Sequence, residues 1–262
     1  MRIIRKGYKG EDVEKWQHFL VGEGLLRVAD GDFGANTETA TITFQKKYKL
    51  LPDGIVGNKT IGVAMQLGFD LVEDQETDET SANWPAPPAF KSLSQSMAEE
   101  VFGKFQFVPD PEPRNPERIK ILDDWREKNI IKLYVPQLKG IKTYGTSTST
   151  GYIYFHKKAA QQMLDLWAAW EKDGLLKYVI QWSGTYSARL IRGSQTRLSN
   201  HAFGTAFDIN VFWNGLGKLP ALLGKEGSVR KLVPLANKYG FFWGGHFPRR
   251  PDGMHFEVAK VL

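Results

Sequence analysis

A repeated pattern in the first quarter of the chain most constrains its fold. The stretch DGDFGANTETA at 30–40 resembles DGIVGNKTIGV at 53–63, and both follow the pattern Asp-Gly-x-x-Gly-x-x-Thr. Each copy supplies two glycines for a turn, and a hydroxyl or amide side chain that can cap the following helix. Each copy is also preceded by a stretch with helical spacing of apolar residues, which predicts amphipathic helices. We therefore expect residues 1–69 to form a small three-helix bundle.

The helix before the first copy shows this spacing most clearly. Its apolar residues are Val13, Trp16, Phe19 and Leu20. Asp12 is predicted to cap its start, and Gly24 lies where it should end.

Residues 70–90 are predicted to be a linker. The stretch DLVEDQETDET holds six acidic side chains and no basic one, and Pro85, Pro87 and Pro88 follow shortly after it. Clustered acids repel one another, and prolines favour an extended backbone. The remaining residues, 81–262, carry a net charge of +10, which favours an anionic partner but does not identify it.

Composition excludes several classes of site. The 262 residues include no cysteine, so disulfides, thiolate metal ligands and cysteine nucleophiles are ruled out. With 42% hydrophobic residues the chain is globular, and it has no apolar run long enough for a membrane span. The N-terminus lacks the apolar core of a signal peptide, and Met1 suggests a natural start.

Residues 91–262 are predicted to form an α+β domain with a small antiparallel sheet. Residues 118–130 suggest a helix, 156–176 have strong helical periodicity, and 177–186 have the β-branched and aromatic content of a strand. Helices, short strands and glycine-rich connections together favour this class.

The stretch SNHAFGTAFDIN at 199–210 places polar groups among apolar ones. If 206–211 is a strand, Asp208 stands on the face opposite Phe207 and Ile209. Gly204 and Ala206 are small enough to let His201 fold back towards that aspartate. A histidine and an aspartate presented together suit Zn²⁺.

The C-terminal stretch PDGMHFEV supplies the candidates for a third ligand and a base. Its strand character puts His255 and Glu257 on one face, and His255 is the favoured third ligand. Three protein ligands and one open position are typical of catalytic zinc. Asp252 is expected to be the general base that accepts a proton from the attacking water.

The first 69 residues resemble the peptidoglycan-binding domain type 1 family. The resemblance rests on the two Asp-Gly-x-x-Gly-x-x-Thr copies with Phe44-Gln45 between them, and on Gln17 and Leu20 in the first helix. It implies a module that binds the bacterial cell wall and performs no chemistry.

Residues 155–259 resemble the zinc D-Ala-D-Ala carboxypeptidase and L-alanyl-D-glutamate endopeptidase family, which includes phage endolysins. The motif Ser-x-His-x-x-Gly-x-Ala-x-Asp occurs at 199–208, and an acid followed by two residues and then a histidine occurs at 252–255. The resemblance implies one Zn²⁺ held by His201, Asp208 and His255, with Asp252 as base.

The same resemblance implies a set of substrate residues. The segment at 183–194 matches the arginine-bearing segment of the family, with Arg189 as the favoured oxyanion arginine and Arg192 as the alternative. Ser199 and Trp243 belong to matched motifs, and His246 is expected to contact substrate or to support a ligand. The carboxypeptidase branch usually has a glutamate base and a tryptophan before the ligand histidine, whereas this chain has Asp252 and Met254.

These features predict a peptidoglycan hydrolase that cleaves the stem peptide, preferably at L-Ala–D-Glu. The alternatives are D-alanyl-D-alanine carboxypeptidase activity and a non-catalytic wall-binding protein. No nucleic-acid motif is recognised, and a monomer is expected. Without a signal peptide, the protein is expected to be made in the cytoplasm and to act in the periplasm or cell wall after holin release or injection.

Overall fold

The structure of the protein is a computed structural model, and it describes residues 3–67, 69, 83–113, 115–143, 147–248 and 250–262. The acidic half of the predicted linker therefore lies outside the described residues. Within these ranges, no helix combines the length and the apolar character needed to cross a bilayer.

The N-terminal part is a three-helix bundle, as the repeat predicts. Its helices are α1 (Glu11–Gly22), α2 (Ala35–Lys47) and α3 (Asn58–Gln66). They enclose a core of fully buried apolar side chains, among them Val13, Trp16, Leu20, Phe33, Phe44 and Val56. This core is separate from that of the C-terminal part.

The first repeat is held by a buried glutamine that binds its own turn. The Gln17 amide donates to the Asp30 carboxylate and to the Thr37 hydroxyl, both at 2.8 Å. Its carbonyl oxygen accepts from the backbone N–H groups of Asp30 and Gly31. The aspartate, glycine and threonine of the first copy thus converge on one side chain.

The second repeat makes the equivalent contacts through Gln45. Its amide donates to Asp53 at 2.8 Å and to Thr60 at 3.2 Å, and its carbonyl oxygen accepts from the N–H of Gly54. Buried polar groups must be paired to be tolerated, so the repeated residues form a hydrogen-bonding unit.

The predicted helix caps are wrong. Gly10, Gly34 and Gly57 occupy the N-cap positions, with no side-chain cap at any of the three. Asp12 lies inside α1, one residue past its first position. The repeat threonines serve the buried glutamines, so the turn and not a cap explains why these residues recur.

The C-terminal part is an α+β fold, as predicted. Its helices are α4 (Gln95–Phe102), α5 (Trp125–Asn129), α6 (Ala160–Lys172) and α7 (Val233–Lys238). Its strands are β1 (Phe107–Pro109), β2 (Ile119–Ile121), β3 (Ile130–Tyr134), β4 (Tyr152–His156), β5 (Trp182–Gly184), β6 (Ala206–Ile209), β7 (Phe241–Trp243) and β8 (His255–Val258). Strands β1–β2 and β3–β4 form antiparallel pairs, and the main antiparallel sheet has the order β5-β6-β8-β7.

An aromatic core lies between α6 and the main sheet. Phe207 of β6 and Phe256 of β8 stack with their ring planes 7° apart, and Trp170 of α6 packs edge-on against both. All three are fully buried. This packing fixes which face of β6 and β8 points away from the core.

Several helices and strands of the C-terminal part are shorter than the sequence predicts. Residues 118–130 are not one helix, since β2 precedes the short helix α5. The predicted strand at 177–186 is reduced to β5. The predicted strand at 206–211 ends at Ile209, because Asn210 adopts a left-handed conformation with φ 53° and uses its side-chain oxygen to accept from the N–H groups of residues 180 and 181.

The second half of the predicted linker packs against the C-terminal part. The Trp84 ring lies 5.3 Å from Trp243 and beneath the Arg230 guanidinium at 4.7 Å. The Pro85 carbonyl lies 2.8 Å from the His246 ring nitrogen Nε2. Proline content predicts an extended backbone here but not these contacts.

Candidate active site

Three polar side chains meet on one face of the main sheet. His201 lies in the 3-10 helix Asn200–Phe203, Asp208 lies on β6, and His255 lies on β8. Asp208 and His255 are direct partners in the antiparallel register. Because Phe207 and Phe256 point into the core, alternation turns Asp208 and His255 to the opposite face.

The turn between His201 and β6 requires glycine. Gly204 has φ 65°, and a Cβ there would lie 2.6 Å from the Ile130 side chain. The Ser199 hydroxyl caps the preceding 3-10 helix by accepting from the His201 N–H. This tight turn brings the His201 ring back over Asp208.

The three side chains present atoms to one point. His201 Nε2 lies 3.2 Å from Asp208 Oδ2 and 3.2 Å from His255 Nδ1, and His255 Nδ1 lies 3.0 Å from Asp208 Oδ1. Four-coordinate zinc with bonds of about 2.0–2.2 Å separates its ligand atoms by roughly 3.3 Å. The donor set and its spacing therefore fit a metal ion of that kind.

In His201 and His255, the ring nitrogen that points away from the cluster faces a hydrogen-bond acceptor. His201 Nδ1 lies against the Thr185 carbonyl, and His255 Nε2 lies 2.9 Å from Glu257 Oε2. A carbonyl cannot donate, so His201 carries its proton on Nδ1 and leaves Nε2 free to bind. Glu257 selects the opposite tautomer of His255 and leaves Nδ1 free, which is the usual way that outer partners orient metal-binding histidines.

The pKa values of the three ligand candidates are strongly shifted. Burial lowers the pKa of His201 against the opposing effect of Asp208. Although burial works against it, the two histidines lower the pKa of Asp208. Burial would also lower the pKa of His255, but hydrogen bonds to Asp208 and Glu257 raise it to about 10. At neutral pH His255 is therefore a cation held by the carboxylates of Asp208 and Glu257, and a metal ion bound at Nδ1 would take the place of the proton there.

Asp252 lies beside this cluster with an unsatisfied oxygen. Within the described part of the chain, its buried Oδ1 has no hydrogen-bond partner. Burial raises the pKa of Asp252 to about 7, Asp208 acts in the same direction, and His255 and Arg189 oppose it. A buried carboxylate oxygen without a partner is costly and points to a missing partner such as water or substrate.

Gly244 makes room for Asp252. A Cβ at Gly244 would lie 2.5 Å from the Asp252 carbonyl oxygen and 3.1 Å from the Cβ atoms of both Asp252 and His255. The Asp252 N–H donates to the Gly244 carbonyl at 2.9 Å. The second residue of the Trp-Gly-Gly segment thus lets the base candidate approach the ligands.

The two candidate oxyanion arginines have different partners in the structure. Arg192 is paired with the buried carboxylate of Glu117 and also donates to Asn115 at 3.2 Å. Arg189 donates to the Leu190 carbonyl at 3.1 Å, and its charge acts on both Asp208 and Asp252. Burial lowers the pKa of Arg189 to about 10, so it remains a cation near neutral pH. Arg189 is therefore the better placed of the two.

Three other predicted substrate residues have different surroundings. Trp243 is fully buried and donates from Nε1 to the Gly253 carbonyl at 2.8 Å, which leaves no surface of its ring for a substrate. His246 packs against Trp84 and Phe242, and it is not among the residues that line the cavity described below. Ser199 lines the cavity described below, but its hydroxyl caps the His201 turn.

Sequence reasoning missed the residues that hold Glu257. Its carboxylate accepts from the Asn200 amide at 2.6 Å and from the Ser92 hydroxyl. Asn200 directly precedes His201, so its position within the motif offered a signal. Ser92 lies 165 residues before Glu257 and offered none.

A cavity of about 860 Å³ opens over the cluster. The three ligand candidates, Asp252 and Arg189 all line it. The volume is at the upper end of the usual range for ligand sites. It can therefore admit a peptide and not only a metal ion and water.

Comparisons with protein families match two separate segments of the chain. Residues 192–258 match the family described as D-alanyl-D-alanine carboxypeptidase, and residues 9–63 match the family described as putative peptidoglycan binding domain. No curated protein matches the chain.

Two solved structures are similar to parts of the chain. The SleB N-terminal domain is 36% identical over 25% of this chain and 92% of its own, with a TM-score of 0.25. The Burkholderia AP3 phage endolysin is 16% identical over 73% of this chain and 70% of its own, also with a TM-score of 0.25.

The chain thus joins a segment that matches the putative peptidoglycan binding domain family to one that matches the D-alanyl-D-alanine carboxypeptidase family. This combination supports a peptidoglycan hydrolase.

Proposed function

We propose that this peptidoglycan hydrolase is a zinc-dependent peptidase that cuts the L-Ala–D-Glu bond of the stem peptide. One observation carries the proposal, namely that His201, Asp208 and His255 converge beside the carboxylate of Asp252 in an open cavity. Three protein ligands that leave a position open, with an acid beside them, are typical of catalytic and not structural zinc.

Each residue of the site has a role in this reaction. Zn²⁺ held by the three ligands would act as a Lewis acid on the peptide carbonyl and lower the pKa of a water to about 7. Asp252 accepts a proton from the attacking water and returns it to the leaving amine. The Arg189 guanidinium stabilises the negative charge that develops on the carbonyl oxygen.

The choice of bond rests on the residues around the base. An aspartate base resembles the L-alanyl-D-glutamate branch, whereas the carboxypeptidase branch usually has glutamate there. The second candidate bond is D-Ala–D-Ala, which the description of the matching family favours. Met254, where that branch usually has tryptophan, weighs against the second candidate.

The N-terminal module would keep the enzyme on its polymeric substrate. Binding the wall raises the local concentration of the catalytic part near the bonds to be cut. We further propose that the protein acts as a monomer in the periplasm or wall, as an endolysin released through a holin or as an injected effector.

Mass spectrometry of purified muropeptides tests the proposal. The zinc-loaded protein should release glycan that retains L-Ala, together with a peptide that begins with D-Glu. Loss of only the terminal D-Ala would assign the carboxypeptidase activity instead. A chelator should abolish turnover, and added Zn²⁺ should restore it; absence of any turnover would leave only a wall-binding protein.

A histidine pair provides the matched control for the metal. His201→Ala should lose stoichiometric zinc, as measured by elemental analysis. His18→Ala should retain it, because the His18 side chain is exposed on α1 far from the cluster in sequence. Retention of zinc by both variants would show that the assigned site is wrong.

A further inference from the structure

The peptidoglycan-binding module contacts the catalytic part next to a proposed metal ligand. The Asn58 amide at the start of α3 lies 3.6 Å from the sulfur of Met254, the residue before His255. Further along α3, a Cβ at Gly62 would lie 3.2 Å from the Arg192 Cβ. Helix α3 therefore packs closely against the catalytic part.

The cavity above the metal cluster is lined by both parts of the chain. The module contributes Asp53, Asn58 and Lys59, and the catalytic part contributes the three ligand candidates with Arg189. A tether that only anchored the enzyme to the wall would not need to line this cavity. A peptide bound at the cluster would instead contact the module as well.

Lys59 is the residue of the module that brings a positive charge into this cavity. Its side chain is half-buried, and it makes no ion pair with any residue that the structure describes. Burial lowers the pKa of its ammonium group to about 8, and Arg192 acts in the same direction, although Glu117 and Glu112 oppose it. A half-buried ammonium group without a partner is best satisfied by an anion.

Other cations surround the same cavity. Arg189, Arg192, Arg197 and Arg250 also line it. Arg192 is committed to Glu117, and Arg250 donates to the Arg192 carbonyl at 3.0 Å. The cavity therefore combines an acidic metal cluster with a basic rim, which suits a substrate that carries carboxylates.

We propose that the peptidoglycan-binding module forms one wall of the catalytic cleft and that Lys59 binds a carboxylate of the stem peptide. This inference rests on the proposed function, since it places an acidic peptide at the metal cluster. It adds a second role to the module, which would bind the peptide being cut in addition to the wall. Lys59 is a substrate-binding residue and takes no part in bond cleavage.

Kinetics on a soluble muropeptide test the role of Lys59 in the full chain. Lys59→Met should raise KM about tenfold and leave kcat within about twofold, because one charged hydrogen bond is lost. Lys59→Arg should restore most of the affinity. Lys46→Met is the matched control, since Lys46 is an exposed lysine of the same module and does not line the cavity. All variants should sediment with intact walls to the same extent.

A second kinetic experiment uses a muropeptide whose stem-peptide carboxylates are amidated. The KM difference between wild type and Lys59→Met should disappear on this substrate. Equal KM values on the acidic substrate would overturn the role of Lys59. If wild type cleaves no muropeptide, the proposed function fails, and calorimetry of the uncleaved acidic peptide with the same variants still decides the binding role.

Discussion

Asp208 and His255 face each other directly across β6 and β8, with 3.0 Å between Oδ1 of the aspartate and Nδ1 of the histidine. The register of two strands therefore sets the distance between two proposed ligands. A slip of one residue in either strand would turn that strand's proposed ligand into the aromatic core. The stacked pair Phe207 and Phe256 opposes such a slip, so the core also protects the site.

Glu257→Gln should weaken metal binding. The carboxylate accepts from His255 Nε2 at 2.9 Å and so fixes the tautomer that leaves Nδ1 free. Loss of an outer partner of this kind typically costs 10–100-fold in metal affinity or activity. We expect a zinc affinity about tenfold weaker or more, measured by competition with a chromophoric chelator.

The control for this prediction is Glu100→Gln, which removes an exposed carboxylate of α4. It should bind zinc as wild type does. Equal affinities in all three proteins would mean that Glu257 does not orient His255.

Gly204→Ala should destabilise the protein and disturb the site together. A left-handed conformation costs an alanine about 1–2 kcal/mol, and its Cβ would lie 2.6 Å from the Ile130 side chain. With the cost of overpacking, we expect a loss of at least about 2 kcal/mol. Urea unfolding measures this loss, and zinc titration reports the displacement of His201.

Gly22→Ala is the matched substitution. Gly22 ends α1, and a Cβ there would meet no atom within 4 Å. This change should be neutral or slightly stabilising, because alanine favours the helix. Equal destabilisation by both substitutions would contradict the close approach at Gly204.

The sequence predicted that His201 and Asp208 come together because their spacing is local. His201 and Asp208 are separated by one tight turn, and strand alternation was enough to place Asp208 and His255 on outward faces. The pairing of β6 with β8 could not be read from either segment, since 47 residues separate the two side chains. The resemblance to a family grouped His255 with the other two proposed ligands, but it did not give the strand pairing.

Residues whose roles depend on packing were less predictable. Trp243 lies in a matched motif, yet its ring is buried and its N–H binds a backbone carbonyl. The contact between Ser92 and Glu257 joins the segment just after the predicted linker to the site, and no local pattern indicates it. The repeat predicted a bundle but not the buried glutamine that each copy surrounds.

The free energy of unfolding should decrease as the pH is lowered, because His156 is protonated more readily in the unfolded chain than in the folded protein. This histidine is fully buried, with Nε2 3.1 Å from the Phe102 carbonyl and Nδ1 accepting from the Lys158 N–H. Burial lowers its pKa to about 4, from 6.5 in the unfolded chain. The unfolded state therefore binds more protons between these values. Its contribution is complete above pH 6.5 and is lost towards pH 4, by up to about 1.4 kcal/mol per pH unit.

Urea unfolding of wild type and His156→Gln between pH 4 and 8 measures this effect. Carboxylates titrate in both proteins, so the difference between the two curves isolates His156. The variant should lose less stability than wild type as the pH falls. His18→Gln removes an exposed histidine and should follow the wild-type curve; parallel curves for wild type and His156→Gln would refute the prediction.

Asp252→Asn should abolish most hydrolysis while sparing metal and wall binding. The amide has nearly the shape of the carboxylate but cannot accept a proton, and loss of a general base typically costs 10²–10⁴-fold in rate. We expect kcat on muropeptides to fall within that range, with zinc content and wall sedimentation unchanged. Asp252→Glu should recover little, because the added methylene displaces the carboxyl group relative to the ligand cluster. An asparagine variant that retains wild-type kcat would remove Asp252 from the reaction and leave Glu257 as the remaining acid that contacts a ligand.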